Sequence, residues 1–339
     1  MKLTCSKDAL IDRINIVSKA VSSRTTLPVL ECILLTADST NLTLTGSDLE
    51  IGIKSSPISA TVEKEGSVAI EAKLFSEIIR RLNGESVTID TNGNEAVIKC
   101  GFSEFTLMTQ PAEDFPALPE VEKEFSYKIS QPMLRDMINS TIFSVALDES
   151  KPFFTGELIE FKPNSTNVVS VDGFRISYRM TESENSKESK VIVPAKTMRE
   201  ISRILSSEEE KETEIFITDK HILFSINGNT VVSRIIEGDY IKYEQTFTDS
   251  YKTRVVLDRS LLISSLERAS LISRDARKMP VKLEIGGSKI IITSQTEIGK
   301  AYEEVEAAVE GEELKIAFNP RYLIDALKAI EDETVSIQF

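Results

Sequence analysis

Basic side chains recur at one spacing in three places: Lys73 with Arg80, Lys196 with Arg203, and Arg321 with Lys328. Seven residues are nearly two helical turns, so each pair lies along one stripe. A stripe of cations is chemistry for holding phosphate rather than for making bonds. A carboxylate, Glu77, Glu200 or Asp325, stands four residues after the first cation of each pair. The competing reading is therefore a salt-bridged, solvated helix, supported by only tenths of a kcal/mol per pair. Catalysis has little to work with. His221 is the one histidine, in a polar Thr-Asp-Lys-His stretch that reads as an exposed turn. Zinc sites built on two histidines are excluded. Cys5, Cys32 and Cys100 are scattered through apolar, strand-like stretches and read as reduced, buried thiols, with no disulfide framework or CxxC metal site. There is no G-x-G-x-x-G and no Walker A sequence. The expectation is no catalytic residue, no metal and no cofactor.

The elements that carry the cations repeat. SVAIEAKLFSEIIRRL (67 to 82), KVIVPAKTMREISRIL (190 to 205) and LKIAFNPRYLIDALKAI (314 to 330) each read as an alternating strand turning directly into an amphipathic helix. Apolar residues such as Phe75, Ile78 and Ile79, or Ile201, Ile204 and Leu205, face away from the cations. A second block precedes each of these. Leu3 to Ser6, Lys128 to Ser130 and Val256 to Asp258 are short strands, each followed by apolar residues at helical spacing. Ser6, Ser130 and Asp258 stand where a side-chain oxygen caps the first turn. Strand-like stretches lie between and after the two blocks, with Asn92-Gly93 and Asn227-Gly228 suited to tight type I′ turns. The fold class is α+β: three two-helix, multi-strand modules of about 124 residues.

The expected modules are 1–122, 126–247 and 251–339, with polar, charged or Pro-bearing boundaries. Two copies leave the third short by roughly 30 residues. Val335 to Phe339 corresponds to Val87 to Thr91 and Ile215 to Asp219, so the third module is expected to lack its final strands, with an open sheet edge. The chain has 54 acidic against 40 basic side chains and a net charge of -14. Its cations gather on the helices, and the remainder is more acidic still. That segregation suggests a positive interior within a negative shell, able to admit DNA to a channel while repelling it elsewhere. The rival is a repeat scaffold that binds only protein partners. The charged start and the absence of a long apolar run suggest a cytoplasmic protein that does not enter a membrane.

Six phrases, in order, carry a resemblance: TLPVLECILLTA (26 to 37), LTGSDLEIGI (44 to 53), PAEDFPALP (111 to 119), VDGFRIS (171 to 177), IVPAKTMREISRIL (192 to 205) and EGDYIKY (237 to 243). Over its whole length the chain resembles the bacterial DNA polymerase III β subunits, the β sliding clamps. The resemblance implies a head-to-tail homodimer whose helices line the channel of a ring around double-stranded DNA. It implies a non-catalytic processivity factor near the nucleoid, with the DNA polymerase III catalytic subunit, the clamp loader and other motif-bearing replication and repair proteins as partners. Arg24, Lys73, Arg80, Lys196 and Arg203 match DNA-contacting positions; the repeat adds Arg321 and Lys328. A pocket for short linear motifs maps to Phe154, Val171, Gly173, Phe174, Arg175, Ile176, Ile241, Gln245 and Thr246. Val171, Phe174, Ile241 and Gln245 stand where Thr, His, Pro and Arg are frequent, which predicts a more apolar, less cationic pocket; the short third module predicts an impaired one. Ring closure maps to Phe105 and Leu107 against Leu271 and Ile272.

Overall fold

The computed structural model describes residues 1–339 except 23–24, 149, 209, 249 and 274–279. Among the described residues are six α-helices: α1 (Lys7–Val17), α2 (Ala72–Arg81), α3 (Gln131–Asn139), α4 (Ala195–Ile204), α5 (Arg259–Ser270) and α6 (Pro320–Lys328). The caps follow the repeat. Ser6 Oγ accepts from the Ala9 N–H at 3.4 Å, Ser130 Oγ from Met133 at 3.4 Å, and Asp258 Oδ1 from Leu261 at 2.8 Å. Each satisfies a first-turn donor that the helix itself cannot. The preceding strands share a register too: Ser6 pairs with Ser86, Ser130 with Glu212 and Asp258 with Thr334. The counterpart of Val335 in the second copy is thus Thr213, not Ile215. A slip of two residues keeps the same side chains inward, so apolar alternation alone cannot detect it.

Two compact units divide the chain. The first comprises residues 1–138, 156–168 and 180–238; the second comprises 139–155, 169–179 and 239–339. A 13-stranded sheet runs through the first unit. Its two parts, nine strands from the first repeat and four from the second, join where Asn229–Arg234 pairs antiparallel with Ile51–Lys54, Val231 opposite Ile53 and Ser233 opposite Ile51. This pairing satisfies the backbone groups of two strands that would otherwise be edges. The two expected turns differ. Asn227 and Gly228 both have positive φ, as a type I′ turn requires, and join Ile226 to Asn229. In the first copy Asn92 still pairs with Glu95, so the turn residues are Gly93 and Asn94, and only Gly93 has positive φ.

Helices α1 and α2 lay Leu10, Ile14, Val17, Phe75, Ile78 and Ile79 into the core of the first unit. The α1 end lies close on the sheet because position 46 is glycine: a Cβ there would sit 2.4 Å from the Val17 carbonyl oxygen. In the second unit, α5 and α6 cover one core through Leu262, Leu266 and Leu327, with Leu283, Ile290 and Ile292 from the strands beneath. Thr253–Asp258 lies between Ala308–Gly311 and Thr334–Gln338 in a three-stranded sheet, which puts Thr334–Gln338 at an edge. Beneath that edge lies a cavity of about 180 Å³ lined by Leu262, Leu323, Leu327, Ile330, Ile337, Phe339 and neighbours. Among the described residues no helix is long and apolar enough to cross a membrane.

Candidate nucleic-acid interface

Helix α2 is entered directly from the strand Gly66–Glu71, and Glu71 caps it: its carboxylate accepts from the N–H groups of Lys73 at 3.0 Å and Leu74 at 2.7 Å. With Phe75, Ile78 and Ile79 buried, the spacing puts Lys73, Glu77 and Arg80 in solvent. Arg80 donates to the neutral amide of Asn15 at 2.5 Å. Among the described residues neither Lys73 nor Arg80 forms an ion pair, and Glu77 takes neither of them despite its spacing. A polar cleft of about 450 Å³ opens beside the helix, lined by Lys73, Arg80, Ser18, Ser22 and Ser76, with Glu31, Glu71 and Glu77 on its walls.

Helix α4 has the same entry and the same exposed stripe but different company. Pro194 occupies the cap position and offers no side-chain acceptor. Lys196 is bound by Asp48, a carboxylate whose side chain is only 6% exposed. The other oxygen of Asp48 accepts from the N–H groups of Glu50 at 3.0 Å and Ile51 at 2.8 Å, in the turn before the strand that joins the two repeats. A carboxylate so buried requires a cation, and Lys196 supplies it. Glu200 faces Arg203 at 2.6 Å and Lys19, in the short 3-10 turn that follows α1, at 3.9 Å. The spacing of four residues suggested Lys196 for Glu200; the carboxylate instead takes Arg203, three residues on. The ion pairs of this helix thus reach into the first repeat, which its own sequence does not reveal.

Helix α6 is capped by Asn319, whose Oδ1 accepts from the Arg321 N–H at 3.0 Å. Arg321 lies 3.8 Å from Asp325, the one i,i+4 pair of the three that forms, and Lys328 pairs with Glu267 of α5 at 2.7 Å. Asp325 also holds Arg175 at 3.0 Å. Arg175 is fully engaged: Nε donates to Asp172 at 3.0 Å, Nη2 donates to the Phe143 carbonyl at 2.7 Å, and its plane lies 4.4 Å from the Tyr322 ring centre. Phe174, 83% exposed, stacks on Tyr322 at 6.2 Å beside Gly173, whose φ is +91°. Tyr322 was missed in the sequence, where its one signal was an aromatic residue in the first turn of a helix.

The other pocket residues spread around this node. Val171 and Phe154 are buried, Phe154 edge-on to Tyr240 at 5.6 Å, while Ile176 is half-buried. Ile241, Gln245 and Thr246 lie exposed on the segment through Tyr243–Thr246, which meets Tyr178 through the Tyr243 ring at 5.6 Å. Arg24 lies outside the described residues. Of the ring-closure residues, Phe105 is 41% exposed on the strand Ser103–Gln110, whereas Leu107 is already buried in its own module. Leu271 is exposed and Ile272 half-buried beyond α5, where the Ile272 carbonyl accepts from Thr296 at 3.3 Å.

Burial pushes the thiols of Cys5 and Cys32 up to about 11, and all three cysteines are free. His221 is half-buried, and burial together with Arg234 and Lys220 holds it below its usual range. Among the described residues no group of three or more His, Cys, Asp or Glu could hold a metal ion.

Residues 1–119, 128–242 and 244–339 match, in order, the N-terminal, central and C-terminal domains of the DNA polymerase III beta subunit. The beta sliding clamp of Staphylococcus aureus is 34% identical over 351 residues, an alignment covering all of this chain and 93% of the relative. That of Halalkalibacterium halodurans is 33% identical over 354 residues with the same coverage. Among solved structures, the DNA polymerase sliding clamp of Bacillus subtilis matches with a TM-score of 0.94 at 32% identity, over 100% of this chain and 92% of that one. The DNA polymerase beta subunit of Streptococcus pyogenes matches with a TM-score of 0.94 at 31% identity, over 100% and 93%.

Proposed function

The chain belongs to the DNA polymerase III beta subunit family and acts as a DNA sliding clamp that tethers the polymerase for processive replication, and from that premise we propose how its residues divide the work. Two copies, each of three modules (1–122, 126–247, 251–339), join head to tail around duplex DNA, Phe105 and Leu107 of one meeting Leu271 and Ile272 of the other. The second helix of each module turns its cations to the duplex: Lys73 and Arg80, Lys196 and Arg203, Arg321 and Lys328; Arg24 is a further DNA contact. The single observation that carries this reading is the threefold recurrence of one strand-to-helix block with cations at i and i+7.

Sliding follows from the kind of contact. Phosphate contacts carry no sequence information, and exposed cations hold them weakly and are screened by salt. Topological linkage replaces affinity, so a chain of net charge -14 serves where a gripping protein would be basic. The clamp is non-catalytic. Phe154, Val171, Gly173, Phe174, Arg175, Ile176, Ile241, Gln245 and Thr246 form the surface that receives linear motifs from the polymerase catalytic subunit, the clamp loader and repair proteins, in the bacterial cytoplasm at the nucleoid. Because Arg175 is bound within the protein and Phe174 is bare, this surface favours apolar and aromatic motif residues over acidic ones. Retention on circular against linearised duplex is the test. A clamp loaded on a closed circle stays through a high-salt wash and is lost once the DNA is cut; equal loss from both would instead favour a protein scaffold.

A further inference from the structure

The three cation stripes are alike in sequence and unlike in charge balance. On α2, Lys73 and Arg80 face solvent with no carboxylate partner among the described residues. On α4, each stripe cation has one, and those carboxylates are held in place: Asp48 by two backbone N–H groups and near-complete burial, Glu200 between Arg203 and Lys19. A phosphate that approaches an unpaired cation displaces only mobile ions from solution. At a paired cation it must displace a carboxylate tethered to the fold or share the cation with it, and fewer ions are released.

We propose that Asp48 and Glu200 are built-in counter-ions that hold Lys196, Arg203 and Lys19 off passing phosphates, so that the duplex is gripped chiefly through Lys73 and Arg80 of the first module. This rests on the reading that these helix faces meet DNA, and it adds a role for two acidic residues that touch no nucleic acid. Their effect is to keep the second module's cations near the duplex without adding drag. They are positioning residues: they act through the cations they bind.

The test is the dependence of duplex binding on salt, read by fluorescence anisotropy with the full chain on short linear DNA. Lys73→Ala with Arg80→Ala should flatten the plot of log K against log salt by about 2, since each engaged phosphate contact contributes roughly 0.9. Asp48→Asn keeps the acceptor oxygen of the turn and removes the charge; it should steepen the slope by roughly 1, and Glu200→Gln, which releases two cations, by roughly 1 to 2. Asp48→Asn combined with Lys196→Gln restores charge balance and should return the slope to that of the parent. A loss of local structure alone would not produce that return. Unchanged slopes for D48N and E200Q beside a flattened slope for the Lys73/Arg80 variant would overturn the counter-ion role. Unchanged slopes in all of them would overturn the helix-face reading itself. If E200Q does not fold, D48N and its charge-balanced partner decide the matter.

Discussion

Helices α2 and α4 are two copies of one design: each follows an alternating strand without a loop, buries its apolar side and leaves a lysine and an arginine seven residues apart in solvent. Yet α2 begins on a carboxylate that binds two backbone N–H groups and has no ion pair on its cations among the described residues, while α4 begins on a proline and has its cations paired. The difference arises from where the neighbours come from. Asp48 and Lys19 belong to the first module and meet α4 because the sheets of the first two repeats are continuous. Among the described residues nothing equivalent reaches α2 within its unit. Repetition therefore fixes the scaffold of each helix but not the charges around it, and a symmetric fold carries an asymmetric electrostatic surface. Helix α6 extends the comparison, since its Asp325 serves both a stripe cation and Arg175.

The largest way to disturb that third case is Arg175→Ala. It takes the side-chain cation from Asp172 and the nearer of two cations from Asp325, which keeps only Arg321 at 3.8 Å, and it removes one of the two groups stacked on Tyr322, the other being Phe174. A loss of about 3 kcal/mol in unfolding free energy is expected, measured by urea denaturation. A loss under about 1 kcal/mol would place Arg175 among ordinary surface pairs.

Alkaline pH next sharpens the contrast between modules, because every cysteine lies in the first. The folded-state value of Cys5 is raised to about 11 from an ordinary 9.0 by burial. The unfolded chain therefore gives up that proton first. Stability from Cys5 is full below pH 9, falls as pH rises to about 11 and then levels, by roughly 3 kcal/mol. Cys5→Ala should flatten that decline in denaturation curves at graded pH; the same decline in the variant would assign it elsewhere.

Smaller still is the capping difference. Asn319→Ala removes the acceptor for the Arg321 N–H and should cost about 1 kcal/mol, whereas Pro194→Ala on α4 removes no acceptor and should show no comparable capping loss. Thermal melts of the two variants would separate them, and equal losses would mean that the caps are incidental.

Much of this was legible in the sequence because it is local. The caps at Ser6, Ser130 and Asp258, the strand-to-helix blocks and the cation stripes are set by neighbours within a few residues, and the repeat reinforces each. Legibility ended where partners are distant. Asp48 finding Lys196, Glu267 finding Lys328 and Arg175 lying between Asp172, Asp325 and Tyr322 depend on how sheets join and helices pack, which side-chain periodicity does not encode. Even within the repeat, the second-copy strand sits two residues away from its expected alignment, since a shift of two preserves the buried face. The i,i+4 carboxylates teach the same lesson: of three identical spacings only Arg321 with Asp325 forms a pair, because α4 had stronger partners available and Glu77 remained in solvent.

The most direct test of unequal grip is amine acetylation of the clamp with and without duplex DNA, read by mass spectrometry at Lys73 and Lys196. The account predicts faster modification of Lys73 in the free protein and a several-fold slowing when DNA is added, with Lys196 slow throughout and little changed. Equal reactivity of the two lysines, equally protected by DNA, would contradict it.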